Sequence, residues 1–384
     1  VKVQLVYFNA GGGHRAAAQA LQAACVQQRR PWDVQAVNLV DVVDPQGLFQ
    51  RCTGMAPEDL YNARLARGWT LGLAQELKLL QGLIRMAHGQ LCQRLAAHWR
   101  ASRPDLVVSL IPNFNRALGE SLAQARPGVP FMTVMTDMAD HPPHFWRAEG
   151  VEQHLVCGTP HALAQARAAG HDARRLHLVS GMPVHPDFYA PLALDRAAER
   201  RALGLPEPGT GAPVGVVMFG GAGSMAMERI ARLLPDTPLI LLCGHHRRLA
   251  TRLRALPAPA PRVVQGFTRE VRRYLALADF FIGKPGPGSM SEALLMGLPV
   301  LTTRNAFTMP QERYNTQWLQ EQGLGLVLPG FAGVAPAVRA LCEQMPSYRA
   351  RVALLRNQAV FEVPDLMAKL VQHAPSTGHL QLVA

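Results

Sequence analysis

The sequence is short of lysine. Only four of its 39 basic residues are Lys (Lys2, Lys78, Lys284 and Lys369), leaving 35 arginines. It has six cysteines, Cys25, Cys52, Cys92, Cys157, Cys243 and Cys342, and no C-x-x-C pair. That spacing argues against a disulfide framework or a zinc site and fits reduced, cytosolic thiols. No stretch of about 20 apolar residues is free of charge or of a Pro/Gly cluster, so a transmembrane helix is not expected. Residues Val1 to Phe8 read as a strand entering a glycine cluster, not as a secretory leader. Three phosphate signatures are missing. Ala16 stands where G-x-G-x-x-G needs its third glycine, no G-K-[ST] completes a P-loop, and no D-x-D could place two carboxylates on a nucleotide-bound cation.

What is present points to a folded, basic α/β protein. The 384 residues suggest two domains, possibly a third, by length alone. The apolar share of 48% is ordinary for a protein with a packed core. A net charge of +12 favours anionic partners: nucleic acid, phosphorylated substrates or an anionic membrane. Nucleic acid is the weakest of these, because no recognition motif occurs and few aromatics interleave the arginines.

Apolar runs at 3–8, 34–39, 105–111, 130–136 and 154–157 read as strands, and so do 214–219, 238–243, 279–283 and 298–303. Each is nearly continuous, as in parallel strands buried on both faces, and most are separated by helical stretches. The two halves open alike: Val3–Ala10 runs into Gly11-Gly12-Gly13, and Val214–Phe219 into Gly220-Gly221-Ala222-Gly223. This predicts two Rossmann-like doubly wound domains in tandem, with a cleft outside the carboxyl ends of the strands. The expected division is 1–190, a linker at 191–213 rich in Ala, Arg, Pro and Gly, a second domain at 214–346, and a helical segment at 347–384 crossing back to the first.

Several residues in this frame suit chemistry on a sugar nucleotide. Gly12 and Gly13 permit a tight turn and close ligand approach, and the following helix offers free N–H groups. His14 sits at that helix start, where the positive dipole end keeps an imidazole neutral and able to accept a proton. Asp137 ends a buried strand and is followed by His141-Pro142-Pro143-His144-Phe145-Trp146, which reads as cleft wall. His141 and His144 alone are too little for a metal site. Lys284, Gly286, Pro287, Gly288 and Ser289 form a turn into a helix that offers N–H groups and a cation to a diphosphate, and Glu292 suits a ribose diol. Gln311 and Glu312 suit sugar hydroxyls, and Phe267 offers an aromatic face to a nucleobase.

In these motifs the chain resembles the GT-B glycosyltransferases of family 28, especially the monogalactosyldiacylglycerol synthases and diacylglycerol glucosyltransferases. Gly11-Gly-Gly-His-Arg-Ala-Ala-Ala resembles their G-G-G-H-R-A-S-A, with Ala17 in place of Ser. Thr136-Asp137, His141-Pro142 and Trp146 resemble T-D…H-P-x-W, and Gly181 to Phe188 resembles G-x-P-V-R-P-x-F, with His185 in place of Arg. Gly283 to Leu294 resembles K-x-G-P-x-x-x-E-A-L, and Pro310-Gln311-Glu312 with Asn315 resembles P-G-Q-E-x-x-N. The matches run in order from about residue 3 to 328. The resemblance implies inverting hexose transfer from a UDP-sugar to a lipid hydroxyl, most readily diacylglycerol, with no tightly bound cofactor or metal. It implies His14 as base; Asp137 is the second catalytic candidate, and Gly12, Gly13, His141 and Trp146 are taken as the acceptor side. Glu292 would hold the ribose, Gln311 and Glu312 the donor sugar, and Gly220 and Gly221 would face the pyrophosphate. His185 is a phosphate candidate. A soluble or polyprenyl-linked acceptor, a UDP-sugar epimerase and a non-catalytic sugar-nucleotide sensor stay open at this stage, as do the hexose and the oligomeric state.

Leu65 to Arg100 reads as one or two amphipathic helices with Trp69 and Trp99 near the ends. It carries Arg67, Lys78, Arg85, Arg94 and Arg100 against one acid, Glu76. Such a segment suits the plane of an anionic bilayer, and equally a helix packed on the core with its arginines on the solvated face, the commoner outcome for such a pattern. With the resemblance, this predicts a cytoplasmic protein, peripheral on the inner face of the cytoplasmic membrane.

Overall fold

The computed structural model describes residues 1–9, 12–47, 51, 73–141, 144–209 and 211–373. Twelve strands are present among them: β1 (Lys2–Tyr7), β2 (Asp33–Asn38), β3 (Leu106–Ser109), β4 (Phe131–Val134), β5 (Gln153–Cys157), β6 (Leu176–Leu178), β7 (Gly215–Met218), β8 (Leu239–Leu242), β9 (Arg262–Gln265), β10 (Phe280–Gly283), β11 (Val300–Thr303) and β12 (Gly325–Leu328). They form two six-stranded parallel sheets, in the orders β2-β1-β3-β4-β5-β6 and β12-β11-β10-β7-β8-β9. All nine apolar runs read from the sequence are strands. The three that it did not single out, β6, β9 and β12, are edge strands. Lacking a partner on one side, they have less apolar surface to cover: β9 is half-exposed throughout, and Leu178 of β6 is open to solvent.

Each sheet reverses direction beside its first strand, between β1 and β3 and between β7 and β10. The crevices at these switch points receive the loops after β1, β7 and β10, which carry Gly12–His14, Gly220–Gly221 and Lys284. The central strands are buried on both faces. Val3, Leu5, Val108 and Met132 anchor one core, and Val217, Leu241, Phe280 and Ile282 another.

The chain joins the two sheets twice. On the first crossing, helix Arg196–Ala202 is pinned to the second sheet through Asp279. The Asp279 carboxylate accepts from Arg200 at 2.7 Å, Arg196 at 2.9 Å, Arg349 at 2.7 Å and the Val214 N–H at 2.8 Å. Burial opposes ionisation of Asp279, but the Val214 N–H and Arg200 outweigh it and hold the carboxyl below its ordinary range. On the return, helix Ala359–His373 lays Ala359, Val360, Val363 and Met367 into the first core, against helix Gly13–Gln27. The Ser180 hydroxyl donates to the Glu362 carboxylate at 3.0 Å, and the Asn357 amide to the Met182 carbonyl at 2.9 Å, which fastens this return.

The amphipathic stretch divides in two. Its part from 65 to 72, with Arg67 and Trp69, lies outside the described residues. Helix Leu73–Met86 exposes Leu79, Leu80, Leu83 and Met86, with Lys78 and Arg85 also at the surface. Helix His88–Ser102 behaves differently. Leu95 and Trp99 are fully buried, and the Trp99 indole N–H donates to Ser121 Oγ at 2.9 Å. Trp99 is therefore a core residue and not a membrane anchor, because its helix faces the helix Asn115–Ala125 instead of solvent. No helix among the described residues is long and apolar enough to cross a membrane.

Candidate functional site

The first glycine turn does what its composition suggests. Gly12 adopts φ 80°, a left-handed conformation that favours glycine, and caps the helix starting at Gly13. A Cβ added to Gly12 or Gly13 would meet nothing within 4 Å, so a ligand can approach the backbone closely. Gly11 lies outside the described residues.

His14 is the second residue of that helix and is partly buried. Its Nδ1 lies 3.0 Å from Thr136 Oγ1. With Nδ1–H donating to that hydroxyl, Nε2 is the acceptor nitrogen. Burial pushes His14 down to about 4, against a Leu110 backbone hydrogen bond that favours the charged form. The imidazole is neutral at pH 7, as the sequence suggested, and the dominant cause is desolvation, which the helix terminus alone did not reveal. Thr136 was visible in the T-D motif, but its orienting role needed the fold.

Asp137 is buried and makes no hydrogen bond or ion pair with His14. Its Oδ2 accepts from the Trp146 indole N–H at 3.0 Å, and the Trp146 ring meets the His14 ring edge-on at 6.1 Å. Burial raises Asp137 to about 7, against the lowering effect of the Trp146 hydrogen bond. Glu312 of the second sheet raises it further and Lys284 lowers it, so the two halves feel one another across the cleft. The structure thus makes two neighbouring pairs, His14–Thr136 and Asp137–Trp146, and no His–Asp dyad. Half-buried His141 stands beside Phe145, with ring centroids 6.2 Å apart. Burial lowers its proton affinity, Asp140 opposes this, and Arg313 from the other half lowers it further. Pro142 and Pro143 lie outside the described residues.

On the facing side, Gly286 caps helix Pro287–Leu295, with Pro287 at the first position, where its missing N–H costs no helix hydrogen bond. Lys284 Nζ donates to Glu312 Oε1 at 2.9 Å. A Cβ on Gly286 would stand 3.3 Å from Lys284 Cε, 3.4 Å from Ser289 Oγ and 3.5 Å from Glu312 Oε1, so these three surround the turn. Gly288 faces open space. Gln311 and Glu312 occupy the short turn Pro310–Glu312 before helix Arg313–Glu321. Buried Asn315 donates to the Pro285 carbonyl at 2.8 Å and ties this helix to the Lys284 loop. Glu292 is partly enclosed, and burial raises it to about 7.

Gly220 has φ 72° and would bring a Cβ within 4.0 Å of Lys284 Cε, while Gly221 faces open space. The Gly221 carbonyl accepts from the His245 N–H at 2.8 Å. Phe267 is exposed and stacks on the His245 ring, centroids 4.1 Å apart, at the carboxyl ends of β8 and β9. His245 belongs to this platform and was not among the residues selected from the sequence. The His185 Nδ1 accepts from the Asp187 N–H at 3.3 Å and lies 3.2 Å from the Asp187 carboxylate. It caps the turn Pro186–Tyr189, and none of these contacts reaches the other candidate residues.

Between the halves lies a cavity of about 230 Å³, lined in part by Asp140, His141, His161 and Gln165 on one side and by Arg304, Gln311, Arg313 and Tyr314 on the other. The His161 and Tyr314 rings stack across the interface at 4.1 Å.

No protein-family model matches the chain. Among curated relatives, it is 26% identical over 426 residues to monogalactosyldiacylglycerol synthase 1 of Arabidopsis thaliana, covering 100% of this chain and 73% of that protein. It is 26% identical over 409 residues to a probable monogalactosyldiacylglycerol synthase of Glycine max, covering 97% and 72%. Among solved structures it superposes on MurG of Acinetobacter baumannii with TM-score 0.60 and 15% identity, covering 96% and 99% of the two chains. It also superposes on the calicheamicin glycosyltransferase CalG4, with TM-score 0.60, 17% identity and coverage of 97% and 99%. The fold of this chain is GT-B.

Proposed function

We propose that this chain, a GT-B protein homologous to the monogalactosyldiacylglycerol synthases, is an inverting glycosyltransferase that moves a hexose from a UDP-sugar to the free hydroxyl of diacylglycerol. The observation that carries this reading is the pairing of His14–Thr136 and Asp137–Trp146 on one side of the cleft with Lys284–Glu312 on the other. Residues 1–190 hold the acceptor, and 214–346 hold the donor.

His14 Nε2 takes the acceptor proton as the hydroxyl oxygen forms its bond to the anomeric carbon. The bond from that carbon to the diphosphate oxygen breaks with its electron pair leaving on UDP. Lys284 and the N-terminus of helix Pro287–Leu295 stabilise the developing charge, and Gly220–Gly221 let the diphosphate approach the backbone. Glu292 accepts from the ribose hydroxyls, Gln311 and Glu312 from the sugar, and the Phe267–His245 stack carries the base. Asp137 holds the Trp146 ring as a wall beside His14.

The direct test is UDP release from UDP-galactose or UDP-glucose with mixed micelles of diacylglycerol and phosphatidylglycerol. Release that depends on diacylglycerol is expected. Turnover of the UDP-sugar without any acceptor would point to an epimerase, and UDP binding without turnover to a sensor.

The ribose assignment has a separate consequence. A free Glu292 at about 7 is half protonated at neutral pH. Accepting hydrogen bonds from a diol favours the carboxylate, so the bound state loses that proton. Uridine, which has no phosphate to titrate, should bind progressively more weakly as pH falls below 7, by up to about tenfold per unit. Calorimetry should show this slope in the native protein and its loss in Glu292→Gln.

The exposed face of helix Leu73–Met86 supplies the bilayer contact that this acceptor requires, with Leu79 and Leu83 entering the interface and Lys78 and Arg85 meeting anionic headgroups. The double variant Leu79→Gln, Leu83→Gln should reduce binding to phosphatidylglycerol vesicles by at least about tenfold, on the scale of about 1 kcal/mol for each partly inserted leucine. Flotation assays measure it, and unchanged flotation would remove this helix from the contact.

A further inference from the structure

We propose that His88, Cys92 and Glu120 form a binding site for one divalent transition-metal ion of the zinc class, away from the cleft. His88 and Cys92 stand four residues apart in helix His88–Ser102 and so share one face, the spacing that lets two helical side chains grip one ion. Glu120 comes from the facing helix Asn115–Ala125. One ligand atom from each lies within 4.8 Å of the other two. The His88 Nε2 is 3.5 Å from Cys92 Sγ and 2.6 Å from Glu120 Oε2.

These separations suit the ion with little movement. Ligands about 2.0–2.3 Å from a tetrahedral centre stand roughly 3.3–3.7 Å from one another. The sulfur–nitrogen pair already has that spacing. The His88–Glu120 hydrogen bond must open by less than about 1 Å, by rotation of a half-exposed carboxylate. Arg116 holds the other oxygen of Glu120 at 2.7 Å, which orients the carboxylate and leaves Oε2 for the ion. A mixed nitrogen, sulfur and oxygen set favours zinc-like ions over magnesium or calcium, and partial exposure leaves the fourth position to water. On binding, the Cys92 thiol passes its proton to solvent and the thiolate takes the ion, while the proton between His88 Nε2 and Glu120 moves to Nδ1 or to solvent and frees the Nε2 lone pair. The ion would clasp helix His88–Ser102 to Asn115–Ala125, beside the end of helix Leu73–Met86 and its exposed leucines.

The test uses the full chain, stripped with a chelator and titrated with cobalt(II). We expect one equivalent bound, with a thiolate-to-cobalt charge-transfer band. Cys92→Ser should lose the band, His88→Gln should weaken binding at least tenfold, and Cys342→Ser, at another partly buried cysteine, should change neither. At equal concentration, zinc should raise the melting temperature of the native protein more than that of His88→Gln. Sub-stoichiometric binding, a band that survives Cys92→Ser, or equal affinity in His88→Gln would overturn the site and leave adventitious metal only. Circular dichroism of both variants separates lost ligands from lost folding.

Discussion

His14→Ala should lower kcat by about 10²–10⁴, the range for removing a positioned general base, and leave uridine affinity within about twofold. The two effects separate because His14 belongs to the first half, whereas Lys284, Glu292 and Glu312 belong to the second. Thr136→Val should reproduce part of the loss, because it frees the imidazole from the hydroxyl 3.0 Å from Nδ1, and Thr136→Ser should restore it. The pH profile provides an independent check. His14 sits at about 4 because burial disfavours its charged form. A base must be unprotonated, so at saturating donor, where the Glu292 effect on binding does not enter, this group limits kcat only as pH falls through about 4, far below an ordinary histidine limb near 6.5. An unchanged kcat in His14→Ala would remove His14 from the reaction and leave the donor assignments standing.

Asp279→Ala should destabilise the second half by about 3–5 kcal/mol, the cost of removing one partner from a buried ion pair. Arg200 is 1% exposed and would keep only its carbonyl partners, Leu277 at 2.7 Å and Pro206 at 3.3 Å. The Val214 N–H would lose its acceptor as well. Asp279→Asn keeps an acceptor for that N–H and should cost less. Urea unfolding followed through a signal from the second half measures both. The sign with pH follows from the depressed carboxyl. This stabilisation is present above the ordinary aspartate range and is lost as pH falls through the lower folded value. Equal stability of Asp279→Ala and the native protein would show that Arg196, Arg200 and Arg349 find adequate partners elsewhere.

How much was legible beforehand depended on burial. Strands closed in on both faces, such as Val107–Val108 and Leu239–Leu242, need continuous apolar side chains, so they stood out in the sequence. Edge strands such as Arg262–Gln265 need less and did not. Trp99 shows the limit of reading amphipathicity in one dimension. The same alternation of Leu, Trp and Arg fits a bilayer surface or a helix packed on its neighbour, and only the position of helix Asn115–Ala125 decides between them. The segment 191–213 shows a related limit. Its Ala, Arg and Pro content resembles a loose connection, yet Arg196 and Arg200 reach Asp279, more than 75 residues along the chain.

The sequence by itself determined the βαβ pattern, the two glycine turns and the ordered motifs that carry His14, Lys284, Glu292 and Glu312. These are local properties, written in burial period, backbone freedom and spacing. The tertiary structure alone decided which of these groups meet: that His14 pairs with Thr136 and not with Asp137, that Asp137 turns to Trp146, that Lys284 pairs with Glu312, and that His185 caps its own turn. Hydrogen-bond partnership and desolvation depend on distances between segments far apart in the chain, and those distances exist only once the two sheets face one another.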